Sequence, residues 1–151
     1  MIALIQRVSG AKVAVEKETV SEIGAGILLL LGISIDDTEA DIEYIARKTV
    51  NLRIFSDEQG NLNRSLIDTG GEILIVSQFT LLADTKKGRR PSFTRAAPPA
   101  IAESLYKKTC EKFRTYGIGV QEGRFGAIMA VILTNDGPVT IIINSKEHTP
   151  Q

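Results

Sequence analysis

The sequence predicts an α+β fold in a single domain that spans residues 1–151. The chain has the length of one domain and contains no internal repeat, low-complexity segment or break in composition. Several runs rich in Val, Ile and Leu are typical of strands, and two segments place apolar residues at helical spacing. We therefore expect seven or eight mostly antiparallel strands, with two main helices packed against the sheet.

The first third of the chain is predicted to be mainly strands. The segments "ALIQRV", "AKVAVE" and "TVSEIG" indicate three short strands, divided by Ser9-Gly10 and by a charged turn at Lys17-Glu18. The apolar run "GILLLLGI" is bounded by glycines, which favours a strand buried on both faces.

Two helices are predicted from capping residues and apolar spacing. Asp36, Asp37 and Thr38 offer N-caps for the first helix, and Pro98-Pro99 suits the first turn of the second, which we expect to end near Gly117. The residues expected to face the core are Ile42, Ile45, Ala46 and Val50 in the first helix, and Ile101, Leu105, Thr109 and Phe113 in the second.

The remaining segments predict further strands. "LRIFSDEQGNLNRSL" indicates a strand, a turn at Gly60 and an irregular return, and "GEILIVSQFTL" indicates a strand rich in β-branched residues. "VQEGRF", "AIMAVILT" and "VTIIIN" complete the chain as strands.

The break between the last two predicted strands is unusual. Asn135, Asp136 and Gly137 alone would serve as a hairpin turn. Pro138 follows them, although proline cannot donate a hydrogen bond to a sheet. A Gly-Pro bond can also be cis at a tolerable free energy. The segment either reverses the chain or presents its backbone to another group.

Composition excludes several classes of protein. The chain is 43% hydrophobic and 24% charged with zero formal net charge, so nucleic-acid affinity requires a local basic patch. A single cysteine, Cys110, permits no internal disulfide and suits a reducing cytoplasm. No signal peptide precedes the alternating "MIALIQRV", and the longest apolar run, residues 27–31, is too short to span a membrane. We expect a cytoplasmic protein that does not enter membranes.

The single histidine limits the possible chemistry. His148 lies in the polar tail "SKEHTPQ", so a catalytic site built on an imidazole base would have to recruit this terminal residue. One histidine and one distant cysteine match no zinc-ligand spacing. We therefore expect an enzyme, if this is one, to work with neither metal nor cofactor.

A long basic loop covers residues 83–99, and loops of this length usually carry function. Four cations, Lys86, Lys87, Arg89 and Arg90, fall within five residues, and Arg95 follows. Such a cluster could bind the phosphates of RNA. The alternative is a charged loop that is merely solvated.

Polar and apolar candidates flank this loop in the sequence. Ser77, Gln78 and Thr80 in "SQFTL" bring polar groups to a strand end, although they could simply satisfy the loop backbone. Phe125 and Met129 in "GRFGAIM" could line a pocket, although either could belong to the core.

Three segments together resemble the D-aminoacyl-tRNA deacylase family, also called D-tyrosyl-tRNA deacylase. They are "VSQFTLLADTKKGRRPSF" (76–93), "GRFGAIMAV" (123–131) and "TNDGPVT" (134–140), in the family's order and spacing. "MIALIQRV", "EIGAGILLLLGI" and "RIFSD" resemble the family as well. The resemblance covers the chain except about the last seven residues, and no role is predicted for the tail after Asn144.

The resemblance implies a cytoplasmic homodimer with a closed, barrel-like sheet, which hydrolyses the ester joining a D-amino acid to the tRNA 3′ end. It implies that a cis Gly-Pro of one subunit reaches into the active site of the other. The implied pocket and catalytic residues are Ser77, Gln78, Phe79 and Thr80. The implied substrate-binding residues are Gly137 and Pro138, which would read chirality, and Phe125 and Met129, which would lie near the terminal adenosine. Arg7 would support the orientation of the Gly-Pro element.

This function fits the absence of a catalytic histidine near the motifs. An aminoacyl ester is already activated, and the neighbouring ribose 2′-OH can assist hydrolysis, so the protein need only position the ester and stabilise oxyanion charge. The backbone N–H groups around Phe79 and Thr80 are the candidate donors.

Two alternatives remain open from the sequence. The chain could be a nucleic-acid-binding module without catalysis, or a hydrolase of small esters with Thr80 as nucleophile. If Gly137-Pro138 forms a backbone wall, chirality would be read by excluding L-residues, and glycine would be accepted.

Overall fold

The fold of residues 1–147 is described from a computed structural model. His148 lies outside these described residues. Eight strands and three α-helices follow one another along the chain. The strands are β1 (Ile2–Val15), β2 (Glu18–Ile23), β3 (Gly26–Gly32), β4 (Phe55–Ser56), β5 (Leu62–Arg64), β6 (Glu72–Ser77), β7 (Gly119–Glu122) and β8 (Ala130–Asn144). The helices are α1 (Glu39–Asn51), α2 (Leu66–Thr69) and α3 (Pro99–Arg114).

Six strands form one curved sheet, and β4 pairs with β5 in a separate hairpin. β1 pairs antiparallel with β2, β3 and β8. β3 pairs parallel with β6, and β6 pairs parallel with β7. β2 also approaches β6 and β7, so the sheet curls into a barrel-like shape. The predicted α+β class is confirmed, and the sheet is mixed because α1 and α3 lie in the connections between parallel strands.

β1 is one long strand, so the prediction of two strands divided by Ser9-Gly10 is wrong. The ladder between β1 and β8 shifts register between Val8 and Gly10, and β1 continues beyond the shift. Glycine in a strand pattern can mark such a bulge as well as a turn. The same strand can therefore pair with β3 through its first half and with β2 through its second half.

β8 is also continuous, so the prediction that residues 135–138 separate two strands is wrong. Gln6 pairs with Thr140, and Val8 pairs with Asn135. One residue of β1, Arg7, thus faces four residues of β8, and these four, 136–139, have no partner in this ladder. The segment does not reverse the chain but forms a four-residue bulge opposite Arg7.

α1 follows the prediction closely. It begins after Thr38, whose backbone N–H donates to the Asp41 carboxylate (2.7 Å) in a capping box. The four predicted apolar residues are all buried. In α3, the buried face consists of Tyr106, Thr109, Cys110 and Phe113. Ile101 is 49% exposed, so its prediction as a core residue is wrong.

The core has two parts, one on each face of the sheet. Alternate side chains of β3 and β6 point to opposite faces, as the two-residue period of a strand requires. Ile27, Leu29 and Leu31 of β3 pack under α1 and α3, whereas Leu28 packs inside the curved sheet. The expectation that β3 is buried on both faces is therefore confirmed.

A buried polar cluster joins the start of the chain to the segment after β8. The α-amine of Met1 donates to Asp37 Oδ1 (2.5 Å) and to Ser145 Oγ (2.8 Å). Ser145 Oγ donates in turn to Asp41 Oδ1 (2.6 Å), and Lys146 Nζ lies 3.0 Å from the same carboxylate. Burial opposes ionisation of Asp41, but these hydrogen bonds outweigh it and lower the pKa of Asp41 far below 3.8.

Within residues 1–147, no helix is long and apolar enough to cross a membrane.

Candidate active site

A groove of about 820 Å³ opens where β3 and β6 end. Its walls come from those strand ends, the loop before α3, the first turns of α3 and the turn between β7 and β8. Most of the lining is apolar; the lining residues are Ile33, Ile35, Val76, Ser77, Gln78, Phe79, Phe93, Thr94, Ala96, Ala97, Pro98, Pro99, Ala102, Phe125, Gly126, Ala127, Met129 and Val131. A large apolar groove with a few polar groups at one side is the usual form of a ligand site.

Five predicted site residues line this groove: Ser77, Gln78, Phe79, Phe125 and Met129. Phe125 also packs against the core beneath the helices, and Met129 packs against the core inside the sheet. The pocket and core interpretations therefore both hold for these two residues.

The polar wall of the groove is made by the end of β6. Ser77 is the last residue of β6, and a single 3₁₀ turn, Phe79–Leu82, follows. The amides of Phe79 and Thr80 begin this turn, and neither donates a hydrogen bond within residues 1–147. Two free amides beside a groove can stabilise an oxyanion.

Thr80 stands next to these amides but has no base. Its side chain is exposed, and Gln78 Nε2 donates a hydrogen bond to Thr80 Oγ1. No carboxylate, lysine or imidazole bonds the Thr80 hydroxyl in the described part of the chain. The Thr80 hydroxyl consequently keeps its proton and can donate a hydrogen bond, whereas a nucleophilic hydroxyl would need a base to remove that proton.

Tyr106 supports the groove from below and was missed by the sequence reasoning. Its hydroxyl donates to the carbonyl of Ile75 in β6 (2.7 Å), and its ring lies 5.7 Å from that of Phe125. Burial raises the pKa of Tyr106 far above 10, so the hydroxyl stays protonated and acts as a donor. In the sequence, Tyr106 looks like any other aromatic residue on the buried face of a helix, so no local signal marked it as part of the site.

The basic loop lies beside the groove. Asp84 and Ser92 exchange backbone hydrogen bonds of 2.8 and 2.9 Å and pinch the base of the loop. Gly88 has a φ of 70° at the tip, a conformation that favours glycine. The ring of Phe93 contacts that of Phe79 edge-on, with centroids 5.0 Å apart. The four predicted cations, Lys86, Lys87, Arg89 and Arg90, are exposed, and none forms an ion pair with a described carboxylate.

Phe93 is a second groove residue that the sequence reasoning left without a role. It stands within the "RRPSF" stretch that carries the family resemblance, and this placement was the available signal. Its contact with Phe79, which is 55% exposed, connects the basic loop to the polar wall of the groove.

The Gly137-Pro138 peptide bond is cis, and both residues are exposed. Arg7 holds the bulge from inside: its Nε donates to the carbonyl of Asp136 (2.8 Å), and its Nη1 donates to the carbonyl of Ile54 (2.7 Å). Gly137 has a φ of 148°, and a Cβ there would lie 2.7 Å from the amide nitrogen of Val139. The position therefore requires glycine.

The structure does not bring this element to the groove of its own protomer. Arg7 pairs with Ile27, and Ile27 pairs with Ile73, four residues before Ser77. The bulge of β8 is thus separated from Ser77 by four residues along β6 and by three strand spacings across the sheet, from β8 through β1 and β3 to β6. This separation amounts to roughly 15–20 Å. Arg7 and the bulge instead border a smaller cleft of about 340 Å³ that includes Phe55 and Gly70.

No group of three or more metal-ligating side chains occurs among the described residues. The groove has mostly apolar walls, and Phe79 is part of its polar wall. Thr80 is not among the lining residues, but it directly follows Phe79 and adds a second free amide and a hydroxyl without a base. These groups suit the positioning of an already activated acyl compound better than the generation of a strong nucleophile.

Comparison with known proteins agrees with this description. Residues 4–144 match the family model described as D-Tyr-tRNA(Tyr) deacylase. The D-aminoacyl-tRNA deacylase of Roseiflexus sp. (strain RS-1) is 57% identical over 145 residues, covering 96% of this chain and 94% of the relative. That of Thermosipho africanus (strain TCF52B) is 54% identical over 147 residues, covering 97% and 99%.

A solved structure described as c-Myc DNA Unwinding Element Binding Protein is similar over 100% of both chains, with a TM-score of 0.90 and 43% identity. The chain belongs to the D-Tyr-tRNA(Tyr) deacylase family.

Proposed function

We propose that this chain hydrolyses the ester bond between a D-amino acid and the 3′ end of tRNA, releasing both. The observation that carries the proposal is the polar wall of the groove in a chain of this family: Phe79 lines the groove with a free amide, and Thr80, the next residue, adds a second free amide and a hydroxyl without a base. These groups suit an ester that needs orientation and oxyanion stabilisation, and an aminoacyl ester is such a substrate.

The proposed mechanism uses the protein to position and the substrate to assist. The ester carbonyl lies against the amides of Phe79 and Thr80, which stabilise the oxyanion that forms when water attacks. The neighbouring ribose 2′-OH assists, and Thr80 donates a hydrogen bond to the substrate. Ser77 and Gln78 form the rest of the polar wall, while Phe125 and Met129 hold the terminal adenosine.

A second copy of the chain completes each site, in a homodimer. Gly137-Pro138 is exposed and stands far from the groove of its own protomer, so it can reach a groove only by entering that of a partner. Exposed apolar side chains on the same strand, Ile132 (47%) and Ile142 (66%), offer surface for such a contact. A two-fold pair would contain two equivalent sites.

Chirality is read by the backbone of Gly137-Pro138. Arg7 fixes the carbonyl of Asp136, so this backbone can serve as a rigid wall facing the substrate α-carbon. The side chain of a D-residue points away from such a wall, whereas the Cβ of an L-residue collides with it. Glycine has no Cβ and is accepted.

The basic loop binds tRNA phosphates next to the groove. Four of its exposed cations, Lys86, Lys87, Arg89 and Arg90, have no ion-pair partner within residues 1–147. Phe93 connects the loop to Phe79. Cations that neutralise phosphates release counterions, which is a large part of RNA affinity. We place this activity in the cytoplasm, where charged tRNA is used.

A second candidate is nucleic-acid binding without catalysis. The observation that favours it is the similarity to a solved structure described as c-Myc DNA Unwinding Element Binding Protein. The exposed basic loop would serve either function.

Deacylation of D-alanyl-tRNA, followed as release of radiolabelled alanine, tests the proposal. We expect release in proportion to enzyme, and no comparable hydrolysis of a D-alanine ester that lacks tRNA. Binding of the tRNA with an intact ester would support the nucleic-acid-binding candidate and contradict the proposal. Efficient turnover of the small ester would indicate a general esterase.

A further inference from the structure

The bulge of β8 is held at two places, and Arg7 accounts for only one of them. Arg7 fixes the carbonyl of Asp136 before Gly137-Pro138. After the dipeptide, the backbone of Val139 is held by the side chain of Asn135. Val139 has no partner in the ladder with β1, so these side-chain bonds replace the missing strand pairing.

Asn135 uses both ends of its carboxamide. Its Oδ1 accepts from the amide of Val139 (2.9 Å), and its Nδ2 donates to the carbonyl of Val139 (3.2 Å). Nδ2 also donates to Thr140 Oγ1 (3.0 Å), which accepts a further bond from Gln6 Nε2 (3.2 Å). An amide is the side chain that can donate and accept in this way without charge.

We call the two hydrogen bonds between the Asn135 side chain and the Val139 backbone the Asn135 clamp. The position of Asn135 in the strand explains why this clamp matters. Asn135 and Thr140 are the ladder residues on either side of the unpaired segment, so the side-chain bridge closes the mouth of the bulge. Gly137 and Pro138 lie between the clamp and Arg7, and the amide of Val139 is 2.7 Å from where a Gly137 Cβ would stand. Val139 is bonded directly to Pro138, so a shift of the Val139 backbone would move the dipeptide.

We propose that Asn135 is a positioning residue for chirality selection: its carboxamide fixes Val139 and thereby the Gly137-Pro138 backbone. This inference rests on the proposed function, because it assumes that the dipeptide reads the substrate. Asn135 does not itself contact the substrate. A misplacement of about 1 Å in a positioning element can change rates by about a hundredfold.

Hydrogen exchange provides a test that requires no substrate. In Asn135→Ala, the Val139 amide loses its acceptor, and we expect its exchange to accelerate at least about tenfold. The matched control is Asn61→Ala, because the Asn61 side chain forms no hydrogen bond within residues 1–147. Equal Val139 exchange in wild type and Asn135→Ala would overturn the clamp, whether or not the chain is a deacylase.

The functional test compares D-alanyl- and L-alanyl-tRNA. We expect Asn135→Ala to lower the D to L ratio of kcat/KM at least about tenfold, with hydrolysis of the L-substrate appearing. Asn61→Ala should retain the wild-type ratio. A wild type inactive on D-alanyl-tRNA would refute the proposed function, whereas an active wild type with an unchanged ratio in Asn135→Ala would refute the clamp.

A pH profile of Asn135→Asp separates positioning from a general loss of fold, and remains informative if Asn135→Ala does not fold. As a carboxylate, the new side chain accepts from the Val139 amide but cannot donate to the Val139 carbonyl or Thr140 Oγ1. Protonation restores one donor. We expect the D to L ratio of kcat/KM in this variant to begin to recover, relative to wild type, only as the pH falls below about 5, towards the ordinary aspartate pKa of about 3.9. A pH profile parallel to that of wild type would contradict the proposal.

Discussion

Thr80 shows at the scale of one residue how the site differs from a nucleophilic enzyme. Gln78 donates to its hydroxyl, and no described group is placed to remove the proton. His148 is the chain's single imidazole and lies outside the described residues. The hydroxyl therefore serves as a donor to the substrate, with reactivity supplied by the ester and its ribose.

Replacement of Thr80 tests this role. We expect Thr80→Ser to stay close to wild type, and Thr80→Ala to lose roughly 10–100-fold in kcat, the value of one hydrogen bond to a charged group. Removal of a true nucleophile costs on the order of 10⁴-fold or more. Kinetics on D-alanyl-tRNA measure the loss, and an acyl-enzyme trapped on Thr80 would contradict the role.

Asp41 carries a second prediction at this scale, on stability. Its carboxylate accepts from Ser145 and Lys146, and these bonds lower its pKa in the folded state. A group whose folded pKa is depressed stabilises the fold above its unfolded pKa, about 3.9, and loses this effect as pH falls.

Asp41→Asn should therefore lower the free energy of unfolding by about 2 kcal/mol at pH 7. The difference from wild type should shrink as pH falls below about 4. Urea unfolding at several pH values measures it, with Glu58→Gln, an exposed carboxyl, as the control. A difference that is independent of pH would mean that Asp41 contributes by packing alone.

The elements differ in how far the sequence could predict them. α1 and β3 were predicted correctly because the residues that define them, such as Thr38 and the buried Ile45 and Leu29, act through local spacing. Ile101 was wrongly assigned to the core, since spacing alone does not show that the first turn of α3 extends beyond the sheet and lines the rim of the groove.

The continuity of β8 could not be deduced from local signals. Asn-Asp-Gly is a turn sequence by its φ preferences, and only the pairing of both flanks with β1 shows that the chain continues as one strand.

In the candidate site, "SQFTL" could be placed at a strand end from the sequence. The free amides and the packing of Phe93 on Phe79 depend on contacts between distant segments.

The role of the basic loop can be tested through the salt dependence of tRNA binding. If Lys86, Lys87, Arg89 and Arg90 contact phosphates, each replacement by alanine should weaken tRNA binding and reduce the log–log salt slope by about 0.7–0.9. Affinities measured from 50 to 200 mM salt give the slope, and Lys17→Ala in the exposed β1–β2 turn is the control. An unchanged slope in the quadruple variant would indicate a solvated loop without phosphate contacts.

At the scale of the whole molecule, each groove lacks the element that is proposed to read chirality. Gly137 and Ser77 lie far apart within one chain, and the proposed homodimer would bring the bulge of one copy to the groove of the other. Each subunit of a two-fold dimer would supply a groove to one site and a bulge to the other.

Mixing two defective variants tests this arrangement. Gly137→Val damages the bulge, where a Cβ meets Val139, and Ala127→Trp blocks the groove. In a 1:1 heterodimer, one site carries both defects and the other carries none. We expect the exchanged mixture to regain about a quarter of wild-type activity, because half of the dimers contain one intact site of two. No recovery after verified subunit exchange would contradict the cross-subunit site.

The central claim is that a backbone wall rejects the L-configuration and does not recognise the D side chain. Side-by-side deacylation of D-alanyl-, glycyl- and L-alanyl-tRNA tests it most directly, because a single methyl group is the smallest Cβ and glycine has none. We expect efficient hydrolysis of D-alanyl-tRNA, detectable hydrolysis of glycyl-tRNA and almost none of L-alanyl-tRNA. Strong rejection of glycyl-tRNA would show that the site binds a D side chain specifically, and that the backbone wall is not the basis of selection.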